Sequence, residues 1–450
     1  MIAVALAAGA ALAGASGASA ALAAPPGDPR PELSSDAEFV PGEVVVRARG
    51  GGERVRTLPP GVRPAEAIAE LSDRPEVAYA SRNWIATAAI DPLDRGSSGE
   101  IRGWRRDQWN FLGRPGGVRV GAAWSRVPSG GGGVTVAVVD TGIAYATASD
   151  QGPGFTISPG FAPETFGPGY DFVDPGTWPL DENGHGTHIA GTIAEAVTLG
   201  EEVPKGERDY LTGLAFGATL LPVRVLDGAG MGTSSDVAAG IRWAARNGAD
   251  VINVSLQLPN NVRRCEQVPG ICRAIRGARK QGALVVGAAG NTVGGGRNRI
   301  AFPAAAPGVL AVGASTRGGC LAGYSHHGKR LDLLAPGGGR ARGRVARPRC
   351  KRDRSPIRQV SLACFPNRCK KFHSFEIRSV QGTSMAAAHA SGVAALVRAS
   401  GVLGANPKPN RVRKRLRCSA RRLKRPRFHG SGLLDAARAT KPRAPRRCRR

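Results

Sequence analysis

Beyond its first 24 residues, the sequence has no run of 18 or more apolar residues. A helix that crosses a bilayer needs about 20 such residues, so no membrane-spanning helix is predicted after that point. The sequence also has no internal repeat, which argues against an architecture built from repeated units. The 450 residues are 42% hydrophobic, enough for one large domain with a substantial core and smaller appendages.

Acidic residues are scarce in two segments, and this scarcity produces nearly all of the net charge of +29. Residues 337–378 contain 13 Lys and Arg residues but only 2 acidic residues. Residues 401–450 contain 18 Lys and Arg residues and 1 acidic residue. The rest of the chain is almost neutral. A protein that binds nucleic acid usually spreads positive charge over its binding fold, so we expect no specific nucleic-acid partner.

The amino-terminal residues 1–23 are apolar and small, and they end in an A-x-A pattern at Ala21-Leu22-Ala23. This composition predicts a secretory signal peptide. The chain also has eight cysteines, an even number, which fits an exported protein with disulfide bonds. We therefore expect a secreted, extracellular protein.

The cysteine spacing predicts one bridge and leaves the others open. Cys265 and Cys272 flank a short loop and are expected to pair. The other six, Cys320, Cys350, Cys364, Cys369, Cys418 and Cys448, allow several connectivities. A zinc site from Cys364, Cys369 and His373 is a less favoured alternative, because exported chains favour disulfides.

From Val134 onward, short apolar runs alternate with stretches of helical spacing. The runs lie at 134–140, 218–227, 249–256, 283–291, 309–315 and 331–337. Their nearly continuous apolar character is typical of strands buried on both faces. The pattern predicts an α/β fold with a mostly parallel, doubly wound sheet flanked by helices, whose sites lie at the carboxyl ends of the strands. One helix, at 234–248, is expected to have Ser234 or Ser235 as its N-cap.

A smaller unit at 38–88 precedes this alternation. It reads as a strand (Glu43 to Arg47), a helix (Pro64 to Leu71) and a second strand (Val77 to Ala80). Such an α+β module is too small for a secure core of its own. We expect it to pack against the large domain.

Four polar residues stand at strand ends or helix starts. Asp140 ends the first buried strand, His185 opens a helix after a glycine, Asn291 closes another strand, and Ser384 opens a helix of small residues. Each alone has an ordinary structural explanation as a cap, a packed side chain or a turn residue. His185 and His188 are three residues apart but lack the glutamate of the zinc motif H-E-x-x-H, which disfavours metal binding.

Together, these residues occur in the order Asp, His, Asn, Ser, and the order Asp, His, Ser is that of subtilisin. The surrounding sequence resembles the subtilisin-like serine peptidases from about residue 104 to 439, closing with "GSGLLDAARA". The blocks that carry the resemblance are "VAVVDTGI", "GYDFVDPGTWPLDENGHGTHIAGTIA", "ATLLPVRVLDGAGMGTSSDVAAGIRWAARNGADVINVSL" and "QGTSMAAAHASGVAALV".

The resemblance implies a catalytic triad. Ser384 would attack the scissile carbonyl, His185 would take and return the proton, and Asp140 would orient the imidazole. The side-chain amide of Asn291 and the Ser384 backbone N–H would stabilise the oxyanion. Gly184 and Gly186 are expected to let the backbone pass close to the substrate and to the start of the helix.

The resemblance also implies substrate contacts. Ser255, Leu256 and Gln257 replace the family's Ser-Leu-Gly strand edge, which pairs with the extended peptide. Gln257 adds a side chain where the family has glycine, so we expect a narrowed or reshaped subsite. Ala288, Ala289 and Gly290 correspond to the wall of the S1 pocket, which favours a broad preference for apolar P1 residues.

The module at 38–88 resembles the family's inhibitory propeptide, including "PGEVVV" and "PEVAYASRN". It predicts a self-processing zymogen with a flexible, cleavable stretch at 87–99. The peptidase domain would span 104–439, with a basic, cysteine-containing insertion at 337–379 and a basic tail at 440–450. The expected partners are protein or peptide substrates and the chain's own propeptide, and we expect a monomer.

The chemistry implied by the resemblance requires no cofactor. Structural calcium is common in the family, and Asp91, Asp94 and Asp107 are the candidate ligands.

Two other functions remain open at this stage. One is a pseudopeptidase that binds peptides without cleaving them, and the presence of the whole triad and Asn291 argues against it. The other is a polyanion-binding protein that uses the peptidase fold as a carrier. For an enzyme, segments 337–378 and 401–450 would hold it on an anionic cell-wall polymer, whereas the ordinary alternative is a solvated surface.

Overall fold

The computed structural model describes residues 33–34, 36–89, 104–113, 115–147, 154–196, 211–292, 296–341, 350, 353–367, 369–423 and 426–443. The predicted signal peptide, Asp91, Asp94 and residues 444–450 of the tail lie outside these ranges. The strands are β1 (Phe39–Ala48), β2 (Glu53–Thr57), β3 (Val77–Ala88), β4 (Thr135–Asp140), β5 (Tyr170–Asp171), β6 (Thr219–Arg224), β7 (Met231–Thr233), β8 (Val251–Val254), β9 (Leu256–Gln257), β10 (Leu284–Ala288), β11 (Leu310–Ser315), β12 (Leu333–Pro336), β13 (Ile357–Leu362) and β14 (Phe375–Val380). The helices are α1 (Pro64–Ser72), α2 (Trp104–Asp107), α3 (Gly121–Trp124), α4 (His185–Ala194), α5 (Ser234–Arg246), α6 (Pro269–Lys280), α7 (Thr383–Ala399), α8 (Pro409–Ser419), α9 (Pro426–His429) and α10 (Ala436–Ala439).

The central sheet has seven strands in the order β12-β11-β10-β8-β4-β6-β5, and every pairing is parallel. Alternate residues of β4 face opposite sides, because successive side chains of a strand point to opposite faces. Val136 and Val138 pack with α4 and α7, while Ala137 and Val139 pack with α5 and α6. The α/β fold with a doubly wound parallel sheet is therefore confirmed.

The amino-terminal module forms a second sheet with the order β2-β1-β3, in which both pairings are antiparallel. Its last strand continues to Ala88, eight residues beyond the predicted end, and pairs with β7 and β9. The extension exists because those two short strands supply hydrogen-bonding partners on both sides. Thr87 and Ala88 therefore belong to a strand, rather than to the flexible stretch that the sequence predicts.

Docking of this module also explains a difference at α5. Its N-cap is Thr233, whose side chain accepts a hydrogen bond from the backbone N–H of Asp236, instead of Ser234 or Ser235. The Ser234 hydroxyl accepts a hydrogen bond from the backbone N–H of Trp84. The Trp84 side chain is buried in the same core cluster as α5 and α6. The module thus completes the core of the large domain.

The basic insertion contains the antiparallel hairpin of β13 and β14. Disulfides join Cys320 to Cys350 and Cys364 to Cys369, and the expected Cys265–Cys272 bridge is present. Cys418 is also disulfide-bonded. The bridge at Cys364 and Cys369 uses the thiols that the zinc alternative needs, and His373 Nδ1 lies 3.1 Å from the Gly154 carbonyl oxygen. Among the described helices, none is long and apolar enough to cross a membrane.

Candidate active site

Asp140 and His185 meet at the carboxyl end of β4. His185 Nδ1 lies 2.5 Å from Asp140 Oδ1, which also accepts a hydrogen bond from the Thr141 backbone N–H. Both side chains are fully buried. A carboxylate oxygen accepts hydrogen bonds, so Nδ1 is the donor in this pair and the ring turns Nε2 away from Asp140.

The loop before His185 is organised by Asp181, which the sequence analysis did not single out. Its buried carboxylate accepts backbone hydrogen bonds from Asn183, Gly184 and Thr187 and hydroxyl hydrogen bonds from Thr141 and Thr187. Burial raises the pKa of the Asp181 carboxyl, and these donated hydrogen bonds oppose the rise. An acidic residue four positions before the helix is the signal that could have revealed this role.

Gly184 and Gly186, on either side of His185, lie directly against other parts of the protein. Gly184 has φ +102°, and a Cβ there would lie 2.6 Å from the Cβ of Phe365. A Cβ on Gly186 would lie 1.9 Å from the Gly142 carbonyl oxygen. Both glycines are therefore required by contacts within the protein at the start of α4, and their expected closeness to the substrate stays a prediction.

Ser384 lies near the start of α7 and is fully buried. Its hydroxyl donates a hydrogen bond of 2.8 Å to the Ser255 carbonyl oxygen. His185 Nε2 has no hydrogen-bond partner within the described residues. In this structure the Ser384 hydroxyl is therefore hydrogen-bonded to Ser255 rather than to His185.

Asn291 is held beside Ser384 by two neighbouring segments. Its side-chain oxygen accepts a hydrogen bond from the Thr383 backbone N–H at 3.1 Å. Its own backbone N–H donates to the side-chain oxygen of Gln257 at 2.8 Å. The amide acceptor is thus used by Thr383, and the NH2 group is the end that can serve a substrate oxygen. The Gln257 side chain, which is expected to reshape a substrate subsite, holds the backbone of Asn291 through this hydrogen bond.

The end of β3 lies between two short strands, β7 and β9, and pairs with both. Thr87 and Ala88 pair with Gln257 and Leu256 of β9 on one side. On the other side, residues 85–87 pair with β7, and the Ala88 N–H donates to the Gly230 carbonyl oxygen at 3.0 Å. The sequence analysis identified only the first of these two edges.

Ala89 continues this strand to the serine. Its N–H donates to the Ser255 carbonyl oxygen, and its carbonyl oxygen accepts a hydrogen bond from the Ser384 backbone N–H, both at 3.0 Å. Ala89 is fully buried, as are Ala288, Ala289 and Gly290. The carbonyl group of Ala89 thus lies beside Ser384, whose backbone N–H binds its oxygen.

Two other buried histidines lie near the site. His188 lies one turn along α4 from His185, and burial, aided by the nearby His185, lowers its pKa to about 3. Burial also lowers the pKa of His389, on α7, to about 4. Both rings are neutral at pH 7, so they add no positive charge beside His185 or Ser384.

Asp107, one of the three calcium candidates, forms an ion pair of 2.5 Å with Arg358 of β13. An arginine at this distance competes with a cation for the carboxylate. Among the described residues, no group of three or more His, Cys, Asp or Glu side chains has the arrangement of a metal site.

Comparison with known proteins gives consistent matches. Residues 131–432 match the Subtilase family (Peptidase_S8). The chain is 34% identical to a thermostable alkaline protease of Halalkalibacterium halodurans over 310 residues, covering 69% of this chain and 68% of that protein. It is 33% identical to subtilisin Savinase of Lederbergia lenta over 311 residues, covering 69% and 92%.

A solved protease from Pseudoalteromonas arctica superposes with a TM-score of 0.58 and 28% sequence identity, covering 79% of this chain and 99% of that one. The family match covers most of the described α/β domain, including β4, α4 and the start of α7. The chain belongs to the subtilase family and is a subtilisin-like serine-type endopeptidase.

Proposed function

We propose that the protein is a secreted subtilase made as a self-processing zymogen, with the bond between Ala89 and Ile90 as its first substrate. The observation that carries the proposal is the hydrogen bond from the Ser384 N–H to the Ala89 carbonyl oxygen. In this arrangement Ala89 is the P1 residue, and residues 86–88 fill the preceding subsites. Maturation would therefore leave Ile90 as the new amino terminus.

The proposed reaction uses protein groups and water. Ser384 Oγ turns to His185, gives its proton to Nε2 and attacks the Ala89 carbonyl carbon. The Ser384 N–H and the Asn291 side-chain amide stabilise the negative oxygen. His185 returns the proton to the departing Ile90 nitrogen, and water then hydrolyses the ester between Ser384 and Ala89. Asp140 keeps Nδ1 protonated and stabilises the imidazolium.

After cleavage, the module would remain bound as an inhibitor. Trp84 fills the core beside α5 and α6, and its Nε1 donates to the Gln267 carbonyl oxygen at 3.0 Å. Asn83 accepts a hydrogen bond from the Ser235 N–H at the start of α5. None of these contacts depends on the Ala89–Ile90 bond. Release of activity would therefore require dissociation or degradation of the module.

The test compares the wild-type zymogen with Ser384→Ala. Wild-type protein should yield a mature chain whose amino-terminal sequence starts at Ile90, and it should hydrolyse a fluorogenic peptide. Ser384→Ala should remain full length and inactive, because the oxygen that forms the acyl-enzyme is absent. A mature terminus far from Ile90 would refute the proposed processing site, and an active Ser384→Ala protein would refute the nucleophile.

A second candidate function, retention on an anionic polymer, is favoured by a basic groove between α6 and α8. Two adjoining cavities, of about 440 and 780 Å³, share Arg279 and Asn410. Their other basic lining residues are Lys280, Arg398, Lys408, Arg411, Arg413, Lys414, Arg417 and Arg422. The acidic residues nearby, Asp250 and Asp332, are already paired with Arg398 and Arg413.

The groove lies at the opposite end of the sheet from the candidate active site, so a polymer bound there would leave the active site open. The smaller cavity is lined by residues 248–250 and 280–282, which precede β8 and β10. It therefore lies at the amino ends of the strands, whereas Asp140 and Ser255 follow their carboxyl ends. The variant Lys280→Ser/Lys408→Ser/Arg411→Ser should elute from a heparin column at lower salt and keep its peptidase activity. Unchanged elution would rule out the groove as the docking site.

A further inference from the structure

The hairpin of β13 and β14 links the helix of Ser384 to the helix of His185. Its strands pair from Ile357 and Val380 to Leu362 and Phe375. β14 ends four residues before Ser384, and β13 packs against α4. The hairpin is thus continuous in sequence with one catalytic helix and in contact with the other.

The end of β13 and the described loop residues that follow it, 361–367 and 369, are called the clasp below. The Ser361 hydroxyl donates a hydrogen bond of 2.5 Å to the Gly184 carbonyl oxygen. The sulfur of Cys369 lies 3.3 Å from the Asn183 carbonyl oxygen, a contact without a hydrogen because the sulfur is in a disulfide. The clasp therefore contacts both residues that precede His185.

Phe365 is the centre of the clasp. It is 1% exposed, and its ring centroid lies 6.0 Å from that of His185 and 5.9 Å from that of His188. The contact with His185 is edge-to-face, with an angle of 65° between the rings. An apolar ring at this place limits reorientation of the imidazole and keeps water from that side.

Gly184, just before α4, leaves room for Phe365 and Ser361 because it has no side chain. Since a Cβ on Gly184 would lie 2.6 Å from the Phe365 Cβ and 2.9 Å from Ser361 Oγ, the clasp can seat only on glycine. The disulfide between Cys364 and Cys369 closes a small loop that contains Phe365. Two turn hydrogen bonds, from Phe365 N–H to Leu362 and from Asn367 N–H to Cys364, fix the same loop.

We propose that Phe365, held in place by the Cys364–Cys369 disulfide, is a positioning residue for His185, so that breaking this bridge lowers the rate of peptide hydrolysis. The inference rests on the proposed role of His185 as the general base. The clasp contacts His185, His188 and the two residues before His185, so its loss should lower kcat more than it changes KM. The effect would act through the imidazole, whose alignment with Ser384 determines proton transfer.

The first experiment measures kcat and KM of the mature enzyme with a short fluorogenic peptide, together with the rate of Ser384 labelling by a phosphonate. Phe365→Ala and Cys364→Ser/Cys369→Ser should lower kcat and the labelling rate roughly ten-fold, a part of the 10²–10⁴ that general acid–base catalysis supplies. Phe365→Leu, which keeps an apolar side chain, should recover most of the loss. Cys265→Ser/Cys272→Ser, which removes a bridge on the other face of the sheet, is the matched control.

A second experiment avoids variants that fail to fold. A dithiol added to mature wild-type enzyme breaks the S–S bond, giving two thiols and the oxidised, cyclic disulfide of the reagent. Alkylation and mass analysis show when Cys364 and Cys369 are reduced. kcat should then fall about as far as in Cys364→Ser/Cys369→Ser, and in that variant the dithiol should cause no comparable fall.

The outcomes separate the two proposals. An unchanged kcat in Phe365→Ala and in enzyme with Cys364 and Cys369 alkylated would overturn the clasp, even if the melting temperature fell. That result would leave the triad untouched, provided that Ser384→Ala is inactive. Activity in Ser384→Ala would instead refute the proposed nucleophile, whatever the clasp variants do.

Discussion

The backbone N–H of Ser384 donates a hydrogen bond to the carbonyl oxygen of Ala89 across 295 positions of sequence. Ser255 adds a second contact, since its carbonyl oxygen accepts both the Ala89 N–H and the Ser384 hydroxyl. The end of the amino-terminal module is therefore held as a peptide substrate would be. Under the proposed function, this geometry would block the site for other peptides and would present the Ala89 carbonyl group to Ser384.

The first prediction concerns the side chain at position 89. Ala89 is fully buried, so a carboxylate placed there would lose its hydration and gain no oppositely charged partner. Ala89→Asp should slow self-processing by at least about 100-fold, since burying a charge costs several kcal/mol. The conversion of zymogen to mature chain on a gel measures this effect. Ala89→Ser, which adds a single small polar atom, should process within a few-fold of wild type, and equal rates for both variants would contradict the assignment of P1.

A second prediction concerns the hold of the cleaved module. Trp84 is 4% exposed and lies in the core cluster of the large domain. Truncation of a buried Trp costs about 3–5 kcal/mol, so Trp84→Ala should weaken inhibition by at least about 100-fold. Freshly cleaved Trp84→Ala complex should therefore show peptidase activity with a shorter lag than wild type. Trp84→Phe keeps most of the buried area and is the control. If the lag is the same in wild type and in both variants, the inhibitory contacts lie elsewhere in the module.

The third prediction concerns the oxyanion donor and its support. Asn291→Leu removes the side-chain amide and should lower kcat by about 10²–10³, the range known for the corresponding donor in subtilisin. Gln257→Leu removes the acceptor of the Asn291 backbone N–H and should cause a smaller loss of kcat. Gln257→Glu retains an acceptor oxygen and should lie closer to wild type. Steady-state kinetics of the mature enzymes give the ranking, and a larger loss in Gln257→Leu than in Asn291→Leu would contradict it.

Local patterns in the sequence were sufficient to predict six of the seven strands of the central sheet and the polar residues near their ends, but not the two-residue edge strand β5. The runs ending at Asp140 and Asn291 are apolar over nearly their whole length, as strands buried on both faces require. Helix starts were equally visible, because His185 directly follows Gly184, Ser384 lies two residues after Gly382, and both precede small or apolar residues. These features depend on neighbours in sequence, so a single chain shows them.

Features that depend on distant segments were missed or misassigned. Ser361 and Gly184 are 177 positions apart, so the reason for the glycine was not visible in "NGHGTH". The end of β3 was placed too early, because its last residues have no strong strand pattern and are held by β7 and β9. Thr233 became the cap of α5 because Trp84 uses the Ser234 hydroxyl. In each case, a tertiary hydrogen bond overrode the local preference.

The last prediction concerns a buried carboxyl at the end of the catalytic histidine's helix. Glu195 follows α4 and is 3% exposed, and its Oε2 has no hydrogen-bond partner within the described part of the chain. Burial raises its pKa to about 8 from 4.5. Between these two pH values the folded protein keeps a proton that the unfolded chain releases. The free energy of unfolding must then fall as pH rises, because the unfolded state binds fewer protons.

Glu195→Gln removes this titration, so the variant should gain stability relative to wild type as the pH increases from 5 to 9. Since one pKa unit corresponds to about 1.4 kcal/mol, the difference between the two proteins should grow by about 4 kcal/mol over that range. Urea unfolding of both proteins in the Ser384→Ala background, where self-digestion is absent, measures it at each pH. Glu164→Gln, which changes an exposed carboxyl, is the control and should show no such growth. A constant difference between Glu195→Gln and wild type from pH 5 to pH 9 would mean that the Glu195 carboxyl is ionised in the folded protein throughout.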